Sequence, residues 1–198
     1  LMTSPMFDEW VPESNNDTSP GFNNIVRKSG AIVYDFAKEY GFDFVDINTP
    51  QTIIDAYQRQ TNADFTFTPD RVHPNAIGHY IAAYSLLKAQ GETGEVATVS
   101  VDVAGAKAEA SHAAVSELSA TAQGVSYRYA PESLPLGADD TYRNAELLFP
   151  ITDELNRETV QVKGLNDGLY DIKMDGVTVM QATASQLANG VNIADKEN

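Results

Sequence analysis

Between Asn23 and Tyr40 apolar side chains recur at Ile25, Val26, Ile32, Val33, Phe36, Ala37 and Tyr40, a spacing that lines them along one face of a helix. Asn23 or Asn24 offers a side-chain cap at its start, and Gly41 ends it. The rhythm then shortens. Phe42-Asp43-Phe44-Val45-Asp46-Ile47 is a brief β-rich run, and Thr49-Pro50 supplies an N-cap and a first-turn proline for a helix reaching Gln58. Beyond a polar loop rich in Thr and Asp, Pro74 opens a third helix with Ile77, Tyr80, Ile81, Tyr84 and Leu87 on its inner face, ending near Gly91. Residues 1–4 read as a further strand running into a turn at Ser4-Pro5. Strands alternating with helices predict a parallel sheet covered on both faces.

The texture changes at Gly91-Glu92-Thr93-Gly94, after which Val99, Val101 and Val103 alternate in the manner of a strand. This places a boundary between an α/β domain over 1–92 and a second domain over 95–198. The Ala- and Ser-rich stretch from Ala104 to Ala122 is compatible with a short helix, a loop or a strand, and periodicity does not choose among them. Thr159-Val160-Gln161-Val162 precedes a turn at Asn166-Asp167-Gly168. Leu169 to Met174 then leads through Asp175-Gly176 into Val177-Thr178-Val179-Met180. Asp-Gly between two alternating runs is a hairpin signal, because both turn positions need positive φ. The second domain is therefore predicted to be mainly antiparallel β, with one helical turn over Ser185–Ala188 stopped by Gly190.

The 198 residues, 42% hydrophobic and 21% charged, have the proportions of one large globular domain or two small ones. A formal net charge of −15 repels phosphate backbones and anionic bilayers. The expectation is no nucleic acid and no membrane partner, and a neutral or cationic ligand instead. Cysteine is absent, which removes disulfides, thiolate catalysis and cysteine-bound zinc but leaves both redox compartments open. No apolar run approaches the roughly 20 residues that span a bilayer, and the start lacks the basic and apolar regions of a signal peptide. Leu1 in place of an initiator methionine, followed at once by a strand, predicts a fragment entered partway through a fold.

The run richest in chemistry is Thr68-Pro69-Asp70-Arg71-Val72-His73-Pro74-Asn75-Ala76-Ile77-Gly78-His79. A carboxylate three residues before an imidazole can accept a hydrogen bond from one ring nitrogen. That would fix the tautomer so that the other nitrogen takes a proton from a nucleophile. His73 is thus a candidate general base and Asp70 its orienting group. Spacing alone equally allows Asp70 to cap the helix and His73 to be a surface residue.

The longer pattern Asp-x-x-His-Pro-Asn-x-x-Gly-His, after a helix-strand-helix unit containing Phe44-Val45-Asp46, resembles the last catalytic block of the SGNH/GDSL hydrolases. The resemblance implies that Asp70 and His73 complete a triad with an N-terminal serine, in an acyl or acetyl esterase that needs no metal or organic cofactor. It also implies a fold class: the C-terminal portion of a three-layer α/β/α, flavodoxin-like fold, followed by a small antiparallel β-rich domain. Leu134-Pro135, Pro150, Glu154-Leu155-Asn156, Val162-Lys163-Gly164-Leu165, Gly168-Leu169-Tyr170, Asp175-Gly176 and Gly190-Val191-Asn192 look like the β-rich insertion of some bacterial members. A secreted or periplasmic bacterial setting and a small acyl ester or acetylated carbohydrate as substrate follow from the same resemblance.

The family's Gly-Asp-Ser block, its oxyanion glycine and its Gly-x-Asn-Asp block do not occur here. Ser4 ends the first strand without the expected neighbours, so no serine is assigned as nucleophile. The chain alone is expected to be nearly inactive, because one oxyanion donor is worth roughly 3 to 4 kcal/mol. Its half sheet is expected to pair with the missing N-terminal segment or with a second copy. His79 reads as a packed helix residue and His112, near Glu109, as a surface residue. Asp70, His73 and His79 as metal ligands lack a further clustered donor. The polar segment Asp8–Asp17 sits where α/β folds place ligand loops, with Trp10 as pocket wall or packing anchor. Tyr127, Tyr129, Tyr142 and Tyr170 invite a sugar-stacking reading beside a core one. A noncatalytic carbohydrate- or protein-binding module on an α/β scaffold is the alternative function.

Overall fold

The helical periodicity of the first ninety residues gives α1 (Phe22–Tyr40), α2 (Asn48–Gln58) and α3 (Ala76–Ala89) in a computed structural model that describes residues 1–12, 19–137 and 139–194. The chain divides into two compact units, Leu1–Glu92 with Asp140–Phe149, and Thr93–Asp139 with Pro150–Asn198. The first is the α/β part and the second carries the small sheets.

In the first unit the packed face of α1 is not the one its large apolar residues predict. Asn23, Gly30 and Ala37 are buried, with Val26 and Val33 half-buried between them, whereas Ile25, Ile32, Phe36 and Tyr40 are exposed. Small residues let α1 approach Thr3 closely; a Cβ at Gly30 would lie 2.9 Å from the Thr3 methyl. Gly21, not Asn23 or Asn24, is the N-cap. Asn23 is drawn inward instead, its Oδ1 accepting from the Phe7 amide at 3.0 Å. At α2 the N-cap position is Ile47, and Asp46 just before it supplies the acceptor, its Oδ1 taking the amides of Asn48 and Thr49, each at 3.0 Å. Thr49 lies inside the first turn.

The strand expected over 42–47 contributes one parallel bridge, Val45 to Met2, framed by Thr3 N–H to Val45 O at 3.0 Å and Val45 N–H to Leu1 O at 2.9 Å. Two strands alone make a marginal ladder. Beneath them lies a buried polar network. Thr3 Oγ1 accepts from the amides of Ile47 and Asn48 at 2.9 and 3.1 Å. Gln51, fully buried, accepts from the Met6 amide at 2.9 Å and donates to Gly78 O at 3.1 Å, tying the first strand to α2 and α3.

A fourth helix, α4 (Asp140–Glu146), also belongs to this unit, although the sequence reading placed it in the second domain. Its Tyr142 is buried edge-on to Tyr80 of α3 at 6.0 Å, and Phe149 meets Tyr84 at 5.3 Å. Burial of this apolar side decides where α4 folds, and nothing local in the sequence announces it.

In the second unit β1 (Glu95–Asp102), β2 (Lys107–Ser111), β5 (Arg157–Lys163) and β8 (Val191–Asn192) form one sheet in the order β2-β1-β5-β8. β3 (Ala113–Thr121) pairs antiparallel with β4 (Gly124–Pro131), and β6 (Leu169–Met174) with β7 (Val177–Thr183). One pairing departs from the antiparallel expectation: β1 and β5 run parallel, from Ala97 opposite Glu158 to Asp102 opposite Lys163. The stretch left open between Ala104 and Ala122 is strand, β2 and β3. Short helices α5 (Ile151–Leu155) and α6 (Ala184–Asn189) flank the sheet. The core gathers Val99, Val101, Val162, Ala182, Leu187, Val191 and Ile193.

Candidate functional site

The segment between Phe65 and Asn75 is irregular but firmly tied. The Arg71 amide donates to Thr68 O at 2.7 Å and the Asn75 amide to Phe67 O at 2.6 Å. Asn75 Nδ2 donates to Thr66 O at 3.1 Å while its Oδ1 accepts from the Gly78 amide at 2.9 Å. Asn75 is therefore the N-cap of α3, and Pro74 lies just outside the helix it was expected to open. A Cβ on Gly78 would come within 2.9 Å of Pro74 Cβ and 3.3 Å of Phe67 O, so glycine is what lets the loop lie on the helix. Arg71 takes positive φ, 78°, uncommon for a residue with a Cβ. Its buried guanidinium stacks 4.9 Å from the Phe7 ring centroid, and its carbonyl accepts from the Asp8 amide at 3.0 Å.

This scaffold brings Asp70 and His73 together. Asp70 Oδ1 accepts from the amides of His73 at 2.7 Å and Val72 at 3.1 Å. Its Oδ2 lies 2.7 Å from His73 Nδ1. One carboxylate oxygen thus holds the backbone and the other the ring. The His73 amide first, then its ring, then the Val72 amide hold the Asp70 carboxyl down at about 2. An ionised Asp70 makes Nδ1 the protonated nitrogen of a neutral imidazole, leaving the Nε2 lone pair outward. The His73 side chain is 82% exposed. Among the described residues no hydroxyl hydrogen-bonds it. The imidazole is thus held by Asp70 through Nδ1 while most of the ring faces solvent.

Other sequence candidates stand apart from it. Ser4 is exposed, and His79 is exposed on α3 without a hydrogen bond to Asp70 or His73. Among the described residues no three His, Cys, Asp or Glu side chains cluster as metal ligands. His112 Nδ1 meets Glu132 Oε2 at 3.3 Å, while the expected neighbour Glu109 pairs with Lys107 at 2.5 Å. Trp10 is exposed, its amide donating to Asp8 Oδ1 at 3.0 Å; residues 13–17 of the polar segment lie outside the described residues. A cavity of about 600 Å³ in this unit, lined by Thr3, Arg27, Tyr34, Phe44 and Asp46, includes neither Asp70 nor His73.

Sequence reasoning missed the support behind the loop. Fully buried Asp8 pairs through Oδ2 with Arg59 Nη2 at 2.6 Å, and Arg59 Nε pairs with Asp55 at 2.9 Å. Burial first of all, with the Asp8 charge adding, pushes the Asp55 carboxyl up to about 6 against the opposing Arg59 hydrogen bond. Asp8 thereby links α2 to the Arg71 carbonyl, one residue from Asp70. Only the i, i+4 spacing of Asp55 and Arg59 was visible beforehand.

No family model and no curated protein matches the chain. Among solved structures it is similar to one described as BT4096, a gut microbial diltiazem-metabolizing enzyme, with a TM-score of 0.80 and 26% identity over 98% of this chain and 46% of that one. The chain therefore spans about half the length of that enzyme, and an α/β part followed by small antiparallel sheets is an arrangement that an enzyme carries.

Proposed function

We propose that this chain is part of a serine ester hydrolase of the SGNH/GDSL type, with His73 as general base and Asp70 as the group that orients it. The observation that carries the reading is the two-handed grip of Asp70 on His73, backbone and ring at 2.7 Å each. In such an enzyme Nε2 of His73 takes the proton of a serine hydroxyl as it attacks the acyl carbon. It then returns that proton to the departing alcohol, and water repeats the cycle on the acyl-enzyme. Asp70 steadies the imidazolium formed in between. The serine and the oxyanion donors come from polypeptide other than residues 1–198, which also closes over the exposed ring. Likeness to an enzyme that metabolizes diltiazem, a molecule bearing an acetate ester, supports a small acyl or acetyl ester as substrate.

The test is hydrolysis of p-nitrophenyl acetate by the complete gene product and its His73→Ala variant. Loss on the order of a thousandfold or more in the variant is the expected result. Equal rates would reduce Asp70 and His73 to a loop-fixing contact and overturn the proposal.

A further inference from the structure

In the second unit, residues of β4, β5 and β6 enclose a cavity of about 1120 Å³, ample for a drug-sized molecule. Val160, Ile172 and Met174 line it together with the rings of Tyr127 and Tyr129. The wall mixes apolar and polar side chains, and Glu158, 2% exposed, reaches it from β5. It shares the inward face of β5 with Val160 and Val162 by the strand's two-residue alternation.

The two oxygens of Glu158 fare differently. Oε1 accepts a hydrogen bond from the Tyr129 hydroxyl, whereas Oε2 is buried without a hydrogen-bond partner. A buried carboxylate oxygen left unsatisfied is costly unless something pairs with it. The basic residues on the cavity wall are matched by other carboxylates on that wall: Arg128 approaches Glu117 at 3.8 Å and Lys173 approaches Asp171 at 3.9 Å. Tyr127 is pushed up to about 12 by burial and by the charge of Glu158, so its ring stays a neutral, electron-rich face.

We propose that this cavity binds a small organic cation, its ammonium N–H donating to Glu158 Oε2 and its apolar body resting among Tyr127, Ile172 and Met174. A neutral hydroxyl would satisfy the oxygen without balancing the charge, and an anion would be repelled. The tyrosine faces attract the cation as well, and a molecule with net charge −15 concentrates cations around itself.

Titration calorimetry in about 0.15 M salt, which screens surface charge, tests this with protonated phenethylamine, neutral 2-phenylethanol and anionic 3-phenylpropanoate as probes. The amine is expected to bind at least about tenfold more tightly than the alcohol, and the carboxylate not at all. Glu158→Gln, with an unchanged circular dichroism spectrum, should bind amine and alcohol alike. Equal affinity of both for the wild-type protein, or no heat with the amine, overturns the proposal whether or not the variant folds. A Glu158→Gln protein that keeps the amine preference overturns it too, by moving the attraction to the general acidic surface.

Discussion

Two carboxylates on the first unit are displaced in opposite directions by their surroundings. Asp70, exposed and holding three donors, is lowered to about 2; Asp55, buried beside Asp8, is raised to about 6. The contribution of Asp70 is present above its ordinary value of 3.8 and is lost as pH falls through about 2. For Asp55 the sign reverses. The folded protein holds its proton more tightly than the unfolded chain, so its contribution is present below 3.8 and lost as pH rises through about 6. Replacing Asp55 with Asn removes that dependence. The thermal midpoint of Asp55→Asn relative to wild type should therefore rise between about pH 4 and pH 6. A difference that stays flat across the window would show that Asp55 does not carry the raised value.

Among the elements, what could be read in advance depended on how local the determinant was. Asp175 and Gly176 have φ of 49° and 85°, the left-handed pair a tight hairpin demands, and Met174 pairs with Val177 across them. Their dipeptide announced it. α6 likewise ends at Gly190, and its start is a capping box between Thr183 and Gln186. The exchange of caps at α1 and α2 was not legible, because Asn23 and Asp46 answer to Phe7 and Thr3, far along the chain. Nor was the packed face of α1, since closeness to Thr3 favours Gly30 and Ala37 over the larger residues that a periodicity count selects. The Asp70–His73 loop was legible as a pattern of residues, while the Gly78 contact and the Asp8–Arg59–Asp55 chain beneath it were not. Two substitutions test the local class. Gly176→Ala forces a Cβ into the left-handed region and should cost about 1–2 kcal/mol. Thr183→Ala should cost about 1 kcal/mol by removing the cap. Chemical denaturation that finds either neutral would show that the hairpin or the helix end is held by other contacts.

On the scale of the molecule, α1 carries two apolar stripes and only one is covered. Ile25, Ile32, Phe36 and Tyr40 are each at least half exposed. Phe36 stacks on Tyr40 at 6.1 Å, and Tyr40 on Phe42 at 6.4 Å. A helix apolar on both faces is usually buried on both, and a contiguous exposed stripe of this kind marks an interaction surface. Among the described residues the parallel ladder of the same unit is a single bridge, Met2 to Val45, and a ladder so short invites a further strand. Under the proposed function the covering partner is the polypeptide that brings the serine, and the solved enzyme it resembles has that much more chain, since the match takes up 46% of it. Residues 1–198 produced alone should then leave the stripe to water and self-associate, eluting above 21.5 kDa in gel filtration. Added salt should enlarge the species, because it screens a net charge of −15 while leaving the apolar attraction intact. Ile32→Glu with Phe36→Glu should return the chain to a monomer without altering its circular dichroism. A monodisperse wild-type monomer at high salt would mean that this face needs no cover, and the case for a partner polypeptide on α1 would fall with it.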